Sequence, residues 1–459
     1  MPFSRRHFFL GSLALPAAAQ KKRAPERPNI VLILADDLAA WMLGCYGNKE
    51  IRTPHIDQLA RTGTRFVNSF VCTPICSASR ATLFTGRTPM QHGIHDFLTA
   101  QPIASPPQGQ AAPPPSFANE IMLSDVLAEA GYQCGYAGKW HMGGDGQPQH
   151  HFGYWYTMAG GSAPYQDPRM NFNGKVVEEK GYLADLITAR AGAFLDQQSA
   201  GRPFFLTVSH FNPHVPYTGH PQKYYDMYAQ TSFDTIGWQP MVPNALREKD
   251  MMKDVVGNIR KCAAATTALD DQVAALIAKL HDRGMAENTL VVFCGDNGFL
   301  LGRHGLWSKG LASDPPNMYE EVMQVPMLWS WLGRIPADNT RPELISFYDF
   351  LPSICEATGV TPPNLNLCGR SYFPLATNRR LPKKAPWRNL VFGDFRNTGM
   401  ARDARYKAIV RDGGKGPGEL YDLRMDPQEK TNQYDNPQFV NTRDRLAADL
   451  AQWRQRYSS

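Results

Sequence analysis

The stretch from Val71 to Arg87 reads Val-Cys-Thr-Pro-Ile-Cys-Ser-Ala-Ser-Arg-Ala-Thr-Leu-Phe-Thr-Gly-Arg and holds two thiols and a guanidinium at chemically suggestive spacings. Cys76 is followed four positions later by Arg80, and on a helix both side chains share one face. Ser77-Ala78-Ser79 reads as a helix start, where free backbone N–H groups and the macrodipole favour negative charge. Such a place suits a nucleophile that meets an anion. The plainer alternative is that Cys72 and Cys76 are structural thiols, buried or disulfide-bonded.

Asp36 and Asp37 form a second group of reactive types with Asp296 and Asn297, in two adjacent pairs. Hard oxygen ligands of this kind suit Ca²⁺ or Mg²⁺ and are the wrong set for a structural zinc site. Cations and imidazoles make up the third group: Lys139 and His141, then His214, then His304 and Lys309 in a Gly-bearing loop. Alone, each reads as a solvated lysine or a hydrogen-bonded histidine. Their recurrence after apolar runs is what a site at one edge of a sheet produces.

The elements that must position these groups follow from periodicity. Asn29 to Ala35 is a continuous apolar run, as expected of a central strand buried on both faces, and it delivers Asp36-Asp37 at its carboxyl end. Thr289 onward does the same for Asp296. Further strands are expected at 64–70, 132–137, 203–208 and 325–331, and helices at 55–61, 123–130, 183–195 and, as one long element, 246–283. This alternation predicts an α/β fold with a large mixed, mostly parallel central sheet flanked by helices. From about Asn389 short strands at 390–395, 406–411 and 419–422 precede a helix over 440–457, which predicts a small C-terminal antiparallel sheet with a terminal helix. The expected organisation is residues 1–19 as an export signal, 20–28 as linker, 29–385 as catalytic domain and 386–459 as a small α+β subdomain. Loops 100–116, 160–173 and 221–243 carry no motif and are the expected seat of specificity.

Composition narrows the classes. The 459 residues are 43% hydrophobic and 20% charged, enough for a large core. The net charge of +6 comes without a Lys/Arg cluster that would track a phosphate backbone, which argues against a nucleic-acid partner. Ser4-Arg5-Arg6 followed by a short apolar run to Ala17-Ala18-Ala19 spells a twin-arginine (Tat) export signal cleaved after Ala19, with the Tat machinery as a transient partner. The run is too short for a permanent membrane anchor, so a periplasmic or secreted location is expected. The eight cysteines show no metal spacing, and their pairing cannot be read from sequence.

The motifs together resemble the type I, formylglycine-dependent sulfatases of the alkaline phosphatase superfamily. That family's C-x-P-x-R, followed by x-x-L-x-T-G-R, is matched by Cys76 to Arg80, Leu83 and Thr85-Gly86-Arg87, with Ala78 where the commonest pattern has Pro. Cys72 has Pro74 but lacks the arginine and the L-x-T-G-R spacing. Gly138-Lys139-Trp140-His141 resembles the family's G-K-W-H, and Pro213-His214-Val215-Pro216 its P-H-x-P. The block from Gly302 through His304-Gly305 to Lys309, then Tyr319-Glu320-Glu321 and Val325-Pro326, follows in family order. Leu420-Tyr421-Asp422-Leu423 with Asp426-Pro427 and Glu429 completes it.

The resemblance implies an alkaline-phosphatase-like fold and hydrolysis of a sulfate ester on a sulfated small molecule or glycan. It implies that a maturation enzyme converts Cys76 to 3-oxoalanine (formylglycine), whose hydrate attacks sulfur. Calcium, with magnesium as the other option, is implied on Asp36, Asp37, Asp296, Asn297 and the group at position 76. By the same resemblance Arg80 holds the oxyanion at position 76, Lys139, His214, His304 and Lys309 bind the sulfate group, His214 or Lys309 assists the departing alcohol, and His141 is the base that completes turnover. Arg87 is expected to be structural, paired with a helix end or a carboxylate. Two alternatives stay open: a phosphonate monoester or phosphodiester hydrolase of the same superfamily, and an inactive sulfated-glycan binding protein in which Cys76 remains a thiol.

Overall fold

The structure, a computed structural model, describes residues 27–98, 119–158, 160–199 and 201–458. The export signal and the whole of the 100–116 loop lie outside these residues. The first strand, β1 (Asn29–Ala35), alternates perfectly between two cores: Ile30, Leu32 and Leu34 enter one apolar cluster, Val31, Ile33 and Ala35 the other. A strand with period-2 burial on both faces can lie only in the interior of a covered sheet.

That sheet has ten strands. The others are β2 (Thr64–Phe66), β4 (Gln133–Gly138), β5 (Phe152–Met158), β6 (Arg169–Phe172), β7 (Lys175–Glu178), β8 (Phe204–Ser209), β9 (Thr289–Gly295), β10 (Met327–Ser330) and β11 (Asn339–Arg341), with β3 (Ser69–Phe70) and β12 (Ile345–Ser346) paired separately. The order is β11-β2-β10-β9-β1-β8-β4-β5-β6-β7, and the five central strands from β9 to β5 run parallel. The flanking pairs β9·β10, β10·β2, β5·β6 and β6·β7 are antiparallel, which gives the mixed, mostly parallel sheet expected. On one face pack α2 (Cys76–Thr85), α3 (Leu123–Glu129) and α6 (Phe350–Thr358). The other face holds α1 (Pro54–Arg61), α4 (Leu183–Asp196) and α5 (Val255–Asp282).

A four-stranded antiparallel sheet, β13 (Val391–Phe395), β14 (Thr398–Arg402), β15 (Tyr406–Arg411) and β16 (Glu419–Asp422), carries α7 (Val440–Arg456) through Leu446, Leu450 and Trp453. Its strand β14 is additional to the three the sequence suggested. A buried charge network joins this sheet to the larger body: Lys407 meets Glu429 and Glu320, and Arg402 reaches Glu320 at 3.2 Å.

Three local expectations are corrected. The helix expected from 246 begins at Val255, where Asp254 caps it by accepting from the Gly257 N–H at 3.0 Å. Upstream, Leu246 donates to the Ala312 carbonyl at 2.7 Å and Ala245 bridges to Ser313, so tertiary pairing overrides the local helical pattern. The strand expected over 64–70 is broken in two. The 160–173 segment is not all loop, because β6 lies within it. No helix among the described residues is long and apolar enough to cross a membrane. All eight cysteines are free.

Candidate active site

Parallel pairing of β1 with β9 sets Ala35 opposite Gly295, so the residues that follow each strand emerge side by side. The Asp37 N–H donates to Asp296 Oδ1 at 3.1 Å, and Asn297 Nδ2 donates to Asp37 Oδ1 at 2.7 Å. Asp37 holds a left-handed backbone, φ 61°, a conformation that costs a non-glycine residue energy and marks places where geometry is imposed. Asp36, Asp296 and Asn297 are fully buried.

Helix α2 brings Cys76 to this point at its first turn. The Cys76 Sγ accepts from Lys309 Nζ at 2.8 Å and lies 3.4 Å from Asp36 Oδ1. Burial pushes the thiol up out of its ordinary range despite the nearby Lys139 and Lys309, so the unmodified side chain is a neutral, poor nucleophile. One turn on, the buried Arg80 donates through Nε to Asp296 Oδ2 at 2.8 Å and through Nη1 to the Lys139 carbonyl at 2.7 Å and Ser209 Oγ at 2.8 Å. Ser79 Oγ donates to the Asp296 carbonyl. Residues 76, 79 and 80 of α2 thus all serve one cluster, as the (i, i+4) spacing predicted.

Lys139 follows β4, and its approach depends on Gly138. That residue has φ 115°, and a Cβ there would lie 1.9 Å from the Ser209 carbonyl oxygen, so any larger residue would drive β4 and β8 apart. Lys139 Nζ pairs with Asp36 Oδ2 at 2.5 Å, and Lys309 Nζ pairs with Asp37 Oδ1. Burial raises the Asp36 carboxyl, but Lys139, His214, Arg80 and Lys309 outweigh it and hold it well below the usual range. Asp296 goes the other way: burial and the neighbouring Asp36 charge push it up to about 6 in spite of Arg80.

The two histidines differ in how their rings are tied. His141 Nε2 lies 2.9 Å from the Leu98 carbonyl, which can only accept, so Nε2 carries the hydrogen and the buried Nδ1 keeps a lone pair with no partner among the described residues. Burial, with Lys139 and Arg80 adding to it, keeps that imidazole well below its ordinary range and hence neutral. His214 gives its Nδ1–H to the Val215 carbonyl at 2.5 Å, stacks on Phe211 and points Nε2 at Asp37 Oδ2, 3.6 Å away. Its side chain is 24% exposed, against 9% for Lys309 and 2% for Lys139.

Asp36, Asp37, Cys76 and His214 each offer a ligand atom within 4.8 Å of the others. Among the described residues Asn297 Oδ1 is buried with no hydrogen-bond partner, and two ammonium groups crowd the aspartates. An orphaned amide oxygen among carboxylates that draw every nearby cation fits a hard divalent ion such as Ca²⁺ or Mg²⁺. His214 joins this group, a role the sequence did not suggest for it.

Of the residues singled out from sequence, Asp36, Asp37, Cys76, Arg80, Lys139, His214, Asp296, Asn297 and Lys309 converge, with His141 beside them. His304 does not enter the cluster by any contact among the described residues. Its Nε2 meets Glu321 Oε2 at 3.2 Å, and its ring lies flat on Tyr319, with centroids 3.9 Å apart. Arg87 pairs with Glu120 at 2.6 Å, the structural part expected of it. Sequence reasoning passed over Ser209, which holds Arg80, and Tyr136, whose hydroxyl donates to the Lys139 carbonyl at 2.6 Å. It also passed over Glu248, whose carboxyl burial and Asp37 push up to about 7 against Lys309 and Ser308. Only Ser209 had a signal, its place at the carboxyl end of a parallel strand.

Comparison with known proteins gives a consistent picture. The family description "Sulfatase" matches residues 28–360, and "N-sulphoglucosamine sulphohydrolase, C-terminal" matches residues 302–456. The chain is 30% identical to human arylsulfatase A, over 92% of this chain and 85% of that protein. It is 25% identical to an N-acetylglucosamine-6-O-sulfatase of Bacteroides thetaiotaomicron, over 98% of this chain and 90% of the relative. Among solved structures, a protein in complex with its substrate D-glucosamine-2-N,6-O-disulfate superposes with TM-score 0.78 at 23% identity, over 94% of this chain and 98% of that one, and so shares the fold.

Proposed function

Because this chain belongs to the sulfatase family, we propose that it removes sulfate from a sulfated carbohydrate, using a formylglycine made from Cys76 and a calcium ion held by Asp36, Asp37, Asp296 and Asn297. The observation that carries this reading is the convergence of one buried thiol, three carboxylates, an amide oxygen that has no partner among the described residues, and three cations at the carboxyl ends of β1, β4 and β9. The carbohydrate substrate is taken from the sugar-sulfate relatives, which span nearly the whole chain.

In this reading the Cys76 Sγ stands in for one oxygen of the aldehyde hydrate, whose two hydroxyls on one carbon provide for attack on sulfur and then for release of sulfate, which a lone serine or thiol could not do. Bound calcium would neutralise oxygens of the sulfate group and favour ionisation at position 76. The chain's own residues do the rest. Lys139 and Lys309 place ammonium groups where a sulfate anion must sit, so the charge that builds on its oxygens meets positive partners in a buried setting. Arg80 is committed through Nε and Nη1 to Asp296, Ser209 and the Lys139 carbonyl, which orients that lysine and the carboxylate together, while its Nη2, 4.0 Å from Asp36 Oδ1, makes no hydrogen bond among the described residues. Lys309, an ammonium held against position 76, is placed to give a proton to the departing alcohol, while His214, whose Nδ1–H is spent on the Val215 carbonyl, offers that alcohol or the ion only its Nε2 lone pair. His141, neutral and with an Nδ1 lone pair that has no partner among the described residues, is placed to take the proton at position 76 that must leave before sulfate can.

The test is direct. Mass spectrometry of the Cys76 peptide after co-expression with a maturation enzyme should show conversion to the aldehyde, and the converted protein should release sulfate from a sulfated sugar. An unmodified thiol, or turnover of a phosphonate monoester with no sulfate release, would refute the proposal. Export by the Tat route rests on Arg5-Arg6 and the Ala17-Ala18-Ala19 site; an Arg5→Lys/Arg6→Lys precursor should stay in the cytoplasm.

A further inference from the structure

Two chain segments that border the cluster carry a cation the reaction above does not use. Leu98 is fixed on both sides of its backbone: its N–H donates to Ser77 Oγ at 2.9 Å, and its carbonyl accepts from His141 Nε2 at 2.9 Å. Its neighbour Phe97 is thereby set beside the first turn of α2 and beside His141. The second segment, residues 245–248, is tied to the loop that carries Lys309 by the Ala245–Ser313 bridge and the Leu246 N–H to Ala312 carbonyl bond of 2.7 Å. Its last residue, Glu248, turns its carboxyl toward Ser308 and Lys309. Arg247 spans the two segments, with its guanidinium carbon 4.9 Å from the centre of the Phe97 ring.

What separates Arg247 from its neighbours is that its donors are unspent. Arg396 is paired with Asp96, and Arg303 is held by Glu321 and the Ile236 carbonyl. Arg247 is exposed and, among the described residues, makes no hydrogen bond and no ion pair. Lying over an aromatic ring covers one face of a guanidinium and spends none of its N–H donors, which stay available to a planar or tetrahedral oxyanion. An arginine stacked in this way on segments tied to His141 and to the Lys309 loop is pre-organised, so little further ordering is lost when an anion arrives.

We propose that Arg247 is a specificity residue that binds a second oxyanion of the sulfated carbohydrate, a further sulfate or a uronate carboxylate, beside the ester that is cleaved. The inference rests on the sulfatase reading and adds to it that the natural substrate carries at least two negative groups close together. Charge-assisted contacts of this kind change affinity by on the order of tenfold or more.

The experiment compares three substrates with the matured enzyme: a monosulfated hexosamine, its disulfated counterpart, and a disaccharide carrying the same single sulfate next to a uronate. Expected is a kcat/KM at least about tenfold higher for one of the two dianionic substrates, carried mostly by KM. Which of them is favoured tells sulfate from carboxylate. Arg247→Ala should abolish that preference and Arg247→Lys, which keeps the charge but not the planar fork, should restore only part of it. Equal handling of all three by the wild type, or an equal loss on all three in Arg247→Ala, overturns the proposal while leaving the sulfatase reading intact. Release of sulfate from none of the three overturns both.

Discussion

Replacing Arg80 by Ala removes the one guanidinium at the centre of the site, and the structure sets the scale of the loss. The side chain is 0% exposed, and it gives up an ion pair of 2.8 Å to Asp296 and hydrogen bonds to Ser209 and the Lys139 carbonyl. Asp296 sits near 6 even with Arg80 in place, so without it a buried carboxylate loses the main cation that offsets its desolvation. Removing one partner of a buried, hydrogen-bonded pair costs about 3–5 kcal/mol, a large part of the ~5–15 kcal/mol that keeps an ordinary domain folded. The mechanism is tested by a double-mutant cycle with Asp296→Asn, read by urea unfolding in chelator-treated buffer so that metal binding does not enter. If the loss comes from the stranded charge, the double variant should be more stable than the sum of the two single changes by about 1–3 kcal/mol. Additivity within about 0.5 kcal/mol, or an Arg80→Ala loss below about 1 kcal/mol, would refute the reasoning.

Other expectations follow from the same geometry. Calcium should raise the thermal midpoint, by the equivalent of about 2.7 kcal/mol at a hundredfold excess over its Kd, and Asn297→Leu should remove most of that effect; full sulfatase activity in calcium-free, chelator-treated buffer would contradict the metal assignment. His141→Ala should lower kcat by about 10²–10⁴-fold with little change in KM, because the ring is placed to move a proton rather than to bind the ester; a change in KM alone would count against that role. His210 is fully buried, has no partner for either ring nitrogen among the described residues, and is held down to about 3 by burial. The unfolded chain therefore binds a proton that the native state refuses once pH drops below about 6.5, so stability is full above that value and is lost progressively toward pH 3. At pH 4.5 the loss from this one group is about 2–3 kcal/mol, and His210→Phe should make the acid limb of a Tm-against-pH curve shallower. An unchanged slope would show that the ring is solvated or paired at low pH.

Much of this protein is written locally in its chain. The alternation in Asn29–Ala35 requires burial on both faces, and that alone places β1 in the middle of a sheet and Asp36-Asp37 at its end. The order of short motifs from Cys76 to Glu429 carries the family, because each residue type answers to a chemical need at a fixed spacing. Residues 76 and 80 share a helix face for a reason of 3.6-residue periodicity that needs no knowledge of the rest.

Tertiary structure decided what local pattern cannot hold. That Asp296 meets Asp37 depends on β9 pairing with β1 in a register that sets Ala35 against Gly295, more than 250 positions apart, and no periodicity states a partner. The start of α5 at Val255 rather than near 246 was decided by bonds to residues 312 and 313, which outweigh a helical propensity of tenths of a kcal/mol per residue, on the order of the known scales. His304 has the type and spacing the motif asks for, but that its ring pairs with Glu321 and lies flat on Tyr319 is stated by no local pattern. Arg247 carried no motif at all. Its meaning arises only because Leu98 is tied to His141 and Ala245 to Ser313, which brings two loops distant in sequence to the same rim.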